Sequence, residues 1–310
     1  MSREPRHGAV RALPAVLDAY RTCELATLTS SGSPVAWPTS GLRRDDGTFL
    51  LTTSLGYPQK AFNIRRDGRV ALLFSDPTAS GLDTPEQILV QGVAACPDEI
   101  HVDPVGDLSR LWARLMQRQP SSQKYLNWPA TVMADFYFMR LLITVHPTAV
   151  TTRALPATTN AVPAGTRLTG AEVVSRYRSV VLTATDALGA PVLVRTSVTA
   201  EPDGYRVAVP DDVPVREGPA GLLVHRHDDK LWNLHNANIR GHLVADGKGW
   251  LLAPARLVEP GQRHRRSVFE PIRIGRECQA TTRRYLARRN LARPAIPWGA
   301  YRAIRAGIQS

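Results

Sequence analysis

The sequence predicts a mainly β protein with short helices, built from two similar domains in tandem and followed by a basic, helical C-terminal extension. Three observations predict it. From Glu24 onward, short apolar stretches alternate with turn signals, the pattern of an all-β domain. The same series of turn and strand residues begins again about 157 residues later. Almost all of the net charge then lies in the last part of the chain.

Taken in order, ELATLTSSGSPVAWPTSGL reads as strand, Ser-Ser-Gly-Ser-Pro turn and strand, and RRDDGTFLLTTS adds an Asp-Asp-Gly turn and a third strand. PQKAFNIRRDG, with Ala61, Phe62 and Ile64 apolar, reads as one short helix. RVALLFSD and QILVQGVAACPD are the fourth and fifth strands. Val105 to Arg118 is helix-like, and RLLITVHPTAVTT returns to strand. The Thr-, Ala- and Pro-rich stretch that follows has no sustained period and reads as a linker.

The repeat is read residue by residue. At an offset of 157, Tyr20-Arg21 matches Tyr177-Arg178, Gly32 matches Gly189, and Pro34-Val35 matches Pro191-Val192. Thr39-Ser40 matches Thr196-Ser197, and Asp46-Gly47 matches Asp203-Gly204. ALLF at 71–74 resembles GLLV at 221–224 at an offset of 150, and Gln91-Gly92 corresponds to Arg240-Gly241. The lost residues are those of the short helix, so the second copy has no counterpart of Lys60 or Asn63. The expected division is a first domain over 1–150, a linker over 151–168, a degenerate second copy over 169–262, and a basic tail over 263–310.

At 310 residues and 43% apolar composition the chain is large enough for two cores. No apolar run approaches the roughly 18 residues of a membrane span, and MSREPRHGAVRALPAVL does not read as a secretory signal. Cys23, Cys96 and Cys278 are far apart and odd in number, which points to a reducing compartment, the cytoplasm, and no disulfide framework. From Arg263 to Ser310 there are twelve Arg and two Glu, a charge of +10 out of a total of +12. The basicity therefore belongs to the tail, either as a polyanion-binding segment or as a helical extension wrapping the body. The tail has no helix-turn-helix or zinc pattern, which argues against sequence-specific nucleic-acid reading. His225, His227, His235 and His242 cluster in the second copy, with His225 and His227 on one side of a strand. Their spacing is weak for a metal, and none is assigned.

The series LATLTSSGSPVAWPTSG, GTFLLTTSLGYPQKAFNIRRDGRVALLFSD and ILVQGVA resembles the pyridoxamine 5′-phosphate oxidase-like family, the flavin- or deazaflavin-binding split β-barrels, over about Leu13 to Ala149. The resemblance implies two split barrels in tandem. It further implies an oxidoreductase acting on a small molecule, with FMN or the deazaflavin coenzyme F-420 as cofactor. By the same resemblance Lys60 is the phosphate cation, and Thr52, Thr53 and Ser54 are hydroxyl donors. Asn63 reaches the phosphate or caps the turn. Trp37, Pro38, Thr39 and Ser40 lie beside the ring, and Gln91 approaches ring or phosphate. Period 2 turns one of Thr52 and Thr53 away from any common site. HPTAVTTR lacks the aromatic residue that closes the pocket in many relatives, leaving Trp112, Tyr125 and Trp128 as substitutes. In relatives each cofactor touches two subunits, so the tandem chain is expected to form a pseudo-dimer of its own barrels, or a homodimer. The alternatives are a non-catalytic flavin or haem/tetrapyrrole binder and a polyanion binder acting through the tail.

Overall fold

The structure, a computed structural model, describes residues 7–232, 234–259 and 270–309. A helix at His7–Ala19 precedes β1 (Cys23–Leu28), β2 (Pro34–Thr39), β3 (Gly41–Arg43) and β4 (Phe49–Ser54). The short helix Gln59–Arg66 follows, then β5 (Arg69–Phe74), β6 (Glu86–Ala95), the helix Gly106–Arg118 and β7 (Arg140–Ala154). The second half contains β8 (Val180–Thr185), β9 (Pro191–Thr196), β10 (Val198–Glu201), β11 (Gly204–Val207), β12 (Gly218–Arg226), β13 (His235–Ala245) and β14 (Trp250–Val258). Each half forms one curled, seven-stranded antiparallel sheet.

The order in the first sheet is β2-β1-β5-β6-β7-β4-β3, and in the second β9-β8-β12-β13-β14-β11-β10. With each strand replaced by its counterpart, these are the same topology. The registers coincide as well. Ala26 faces Ala71 in the first sheet, and Thr183 faces Gly221 in the second, at the offsets read from the sequence. Both sheets carry a bulge at the matched dipeptide, Gln91/Gly92 and Arg240/Gly241. Glycine is required there because a Cβ would lie 2.3 Å from the His146 carbonyl oxygen in one case and 2.1 Å from that of Ala253 in the other.

Each sheet wraps its own core. Leu25, Leu51, Leu72, Val90 and Ile143 fill the first, and Leu182, Val194, Tyr205, Leu222 and Ile239 the second. The two sheets then meet face to face through Ala26, Ala36, Ala71, Leu73 and Leu89 on one side and Val181, Leu193 and Leu223 on the other. Every residue of β1 and of β8 is therefore buried. This is why CELATL and VVLTAT read as near-continuous runs rather than as alternating strands.

The C-terminal helices Glu270–Ala287 and Trp298–Gln309 pack on the first half. Tyr285 stacks on Phe62 at 5.9 Å and joins the first core together with Leu286. Tyr301 is wholly buried against Trp112 and Phe138. Part of the tail's charge is neutralised by the body, as Arg289 pairs with Asp98 and Arg293 with Asp135. Residues 263–269 and 310 of the expected tail lie outside the described residues. No helix among the described residues is long and apolar enough to cross a membrane.

Candidate functional site

The residues singled out in the sequence fall into three places. Lys60, at the start of the short helix, holds its ammonium 6.0 Å from the Trp37 ring centre. Trp37 is paired with Leu25, a residue of the first barrel's core, so both lie on the barrel side of the sheet. The Lys60 ammonium is pulled down to about 8, mainly by loss of solvation, opposed by Cys23 and aided to a lesser extent by the charge of Arg140. No carboxylate pairs with Lys60 among the described residues. Arg140 is also buried, with Nε and Nη2 lacking any acceptor.

Thr52, Thr53 and Ser54 alternate along β4. Ser54 faces Arg140 across the β4–β7 ladder, and Thr52, two residues away, shares its side of the sheet. Thr53 points the other way, and its hydroxyl donates to the Tyr57 carbonyl at 2.6 Å. Asn63 is fully enclosed. Its amide donates to Thr27 Oγ1 at 2.8 Å, and its carbonyl accepts from Gln59 and Arg66, tying the helix to β1. Gln91 stands away from the set, because it pairs with Ala71, which pairs with Ala26, which pairs with Ala36, three strands from β2.

Pro38, Thr39 and Ser40 line a cavity of about 170 Å³ between the two halves. Thr22 and Gln119 complete the first-half wall. The facing wall is supplied by the second half, notably His225, His227, Leu231, Leu234 and Asn236. None of Trp112, Tyr125 and Trp128 closes it, since Trp112 is buried in the outer aromatic core and Trp128 is 82% exposed.

Beneath the cavity the two sheets are joined by a buried charge cluster. Glu24 is completely enclosed and accepts from His225 Nε2 at 2.5 Å, Arg195 Nη2 at 2.9 Å and Ser75 Oγ at 2.9 Å. Asp76 lies 3.8 Å from His225 Nδ1 and 3.6 Å from His227 Nε2. Burial works against the charge of Glu24, but His225, then Arg195 and Ser75 outweigh it and hold the carboxyl below its ordinary range. Asp76 is lowered too, with burial again opposed by His225, Thr78, Arg195 and His227. His225 and His227 do share one side of their strand, and both are tied to carboxylates of the other half. Glu24, Ser75, Asp76 and Arg195 were not foreseen as a group. The one local signal was Arg195, a charge inside the otherwise apolar strand PVLVRT.

Arg195 has a further meaning. It is the counterpart of Pro38 at the offset of 157. Its Nη1 donates to Ser179 Oγ at 3.1 Å, its Nε to Ser75 Oγ at 2.8 Å, and its backbone N–H to Gln87 Oε1 at 2.8 Å. Ser179, Ser75 and Gln87 are the counterparts of the cavity residues Thr22, His225 and Asn236. The place related to the cavity by the repeat is thus filled by an arginine side chain.

No family model matches the chain, and no curated protein matches it. Among solved structures it is similar to a candidate pyridoxamine 5′-phosphate oxidase of Listeria innocua, at 14% identity over 46% of this chain and 95% of that one, with a TM-score of 0.31. It is similar to a haem storage protein of Vibrio cholerae at 11% identity, over 46% of this chain and 93% of that one, with a TM-score of 0.32. An F420 reductase is similar at 21% identity, over 44% of this chain and 94% of that one, with a TM-score of 0.28. Each likeness spans less than half of the chain. The two sheets, alike in strand order and register, have the split β-barrel fold.

Proposed function

We propose that this protein is a flavin- or deazaflavin-dependent oxidoreductase holding one cofactor per chain in the cleft between its two barrels. The observation that carries the reading is Lys60, a half-buried residue whose ammonium lies beside Trp37 with no carboxylate to balance it among the described residues. A buried unpaired ammonium is costly, and a phosphate on the ligand relieves that cost. Arg140, Thr52 and Ser54 lie on the other face of β4 and β7, where the guanidinium rests over the Trp112 and Tyr137 rings, so the preference for an anion rests on Lys60.

When bound, such a cofactor supplies the hydride chemistry itself. The protein's part is to position and shield it. Lys60 would hold the phosphate, Trp37 would stand beside it, and Pro38, Thr39 and Ser40 would flank the ring end. Leu231 of the second barrel covers the facing side. Arg195, filling the related place, supports one cofactor per chain rather than two. The haem reading draws no such support, because His225, His227 and His235, which line the cavity, are already held by Glu24, Asp76 and Glu259.

The test is an absorbance titration of the purified chain with FMN and with coenzyme F-420, beside Lys60→Ala. One of the two is expected to saturate at one per chain, with affinity reduced about ten- to a hundredfold in the variant, the range for a hydrogen bond to a charged group. Saturation at two per chain removes the one-site reading. Binding of neither removes the oxidoreductase.

A further inference from the structure

On the first half, the segment between the helix Gly106–Arg118 and β7 holds several apolar side chains in solvent. Trp128 is 82% exposed, Val132 71% and Met133 48%, and Tyr57 and Tyr125 add aromatic surface nearby. These side chains are held outward by an anchored backbone. Asn127 accepts from Arg305 Nη1 at 3.1 Å, the Met133 carbonyl accepts from Gln279 Nε2 at 2.9 Å, and the next residues, Ala134 and Phe136, are buried against Cys278. A patch fixed in this way on a protein surface marks an interaction site.

The rim of the patch is basic. Val132 and Met133 share an open groove with Arg276 and Arg283 of the helix Glu270–Ala287. The acids nearby are already matched, Glu277 by Arg273 and Asp135 by Arg293. Arg276 and Arg283 are exposed and make no ion pair among the described residues. The face therefore combines a projecting Trp and two projecting aliphatic chains with unneutralised arginines.

We propose that this face docks on an anionic lipid bilayer, with Trp128, Val132 and Met133 entering the headgroup–acyl boundary and Arg276 and Arg283 meeting acidic headgroups. Interfacial binding scales with buried apolar area plus attraction to anionic lipid, and this face offers both. Trp prefers the interfacial depth in particular. Single-stranded nucleic acid also takes aromatic and arginine contacts, but Val132 and Met133 have no π-face on which a base stacks. Hydrocarbon accepts them.

The test is co-sedimentation of the full chain with vesicles of pure phosphatidylcholine and of an equal mixture with phosphatidylserine. The parent is expected to pellet with the mixed vesicles and not with the neutral ones. The triple variant Trp128→Ser, Val132→Ser, Met133→Ser and the double variant Arg276→Glu, Arg283→Glu should each lose about tenfold or more in affinity. Because the triple variant changes exposed side chains, its unfolding midpoint should match the parent's. The proposal is overturned if the parent does not pellet, or if the triple variant pellets as well as the parent, which would leave the charge of the tail alone at work. It is also overturned if the triple variant instead shifts the parent's solution mass or abolishes its binding to oligothymidylate with no effect on vesicles. None of these outcomes depends on whether a flavin is bound.

Discussion

At the end of β2 the first barrel has Pro38 and a cavity, and at the end of β9 the second barrel has Arg195 filling the matching space. The strand order, the registers and the bulges are the same in the two halves. The halves differ in a few side chains, in the short helix that carries Lys60, and in the helix Gly106–Arg118 between β6 and β7, which has no counterpart between β13 and β14. Such a pattern separates what the fold needs from what a site needs. The glycine at the bulge belongs to the fold and recurs. The ammonium and the open space beside Pro38 belong to one half only. The other half has turned its counterpart into a joint, made of Arg195 locked to Glu24, Ser75 and Gln87.

The joint is where the largest effect is expected. Glu24→Gln leaves Arg195 and His225 buried without their shared counter-charge, and should cost about 3–5 kcal/mol in denaturant unfolding. A loss under about 1 kcal/mol would mean that the apolar contact of Ala26, Ala36 and Leu193 holds the halves together without the charges. On the cavity side, affinity for a phosphate-bearing cofactor should depend on pH through Lys60. The ammonium binds the phosphate, so affinity should fall as pH rises through about 8, by up to tenfold per pH unit. In Lys60→Ala the curve should be flat over that range.

Acid acts on the joint rather than on the cavity. Glu24 and Asp76 are held below their ordinary range in the folded chain, so they bind protons more readily when unfolded. Their contribution is complete above the unfolded values of about 4 and is lost as pH falls below them through the folded ones. Thermal unfolding followed from neutral pH downward should show this decline, and Glu24→Gln should make it shallower. The smallest effect is expected at Thr53. Thr53→Val removes a hydroxyl that serves the Tyr57 carbonyl and should cost about 1 kcal/mol of stability without altering cofactor affinity.

The repeat was legible because turns and strands are specified locally. Gly32 and Gly189 both take φ of 75°, a backbone state that favours glycine, so the matched letters report a matched turn. Gln91-Gly92 and Arg240-Gly241 were readable as a pair for the same kind of reason, although Gln91 itself stands three strands from the expected ring wall. The division of Trp37 from Pro38 was hidden, because the family pattern names neighbours along a strand while the pleat sends them to opposite faces. The charge joint was hidden more deeply. Glu24 and His225 are 201 residues apart, and only the stacking of two sheets brings them together. Twelve arginines in the tail concealed Tyr285, Leu286 and Tyr301, three side chains that decide where its helices pack.

Those three side chains impose an order on how the protein is made. The first barrel leaves the ribosome early, yet Tyr285 and Leu286 belong to its core and Tyr301 to the aromatic cluster beside it. Among the described residues, the second barrel's core draws on nothing beyond Leu257. The half that is synthesised first is therefore the last to close. At about 5–20 residues per second, the stretch from Ala154 to Tyr285 takes on the order of ten seconds to translate. Through that interval the nascent first barrel has the helices His7–Ala19 and Gln59–Arg66 over its apolar interior, but not Tyr285 and Leu286.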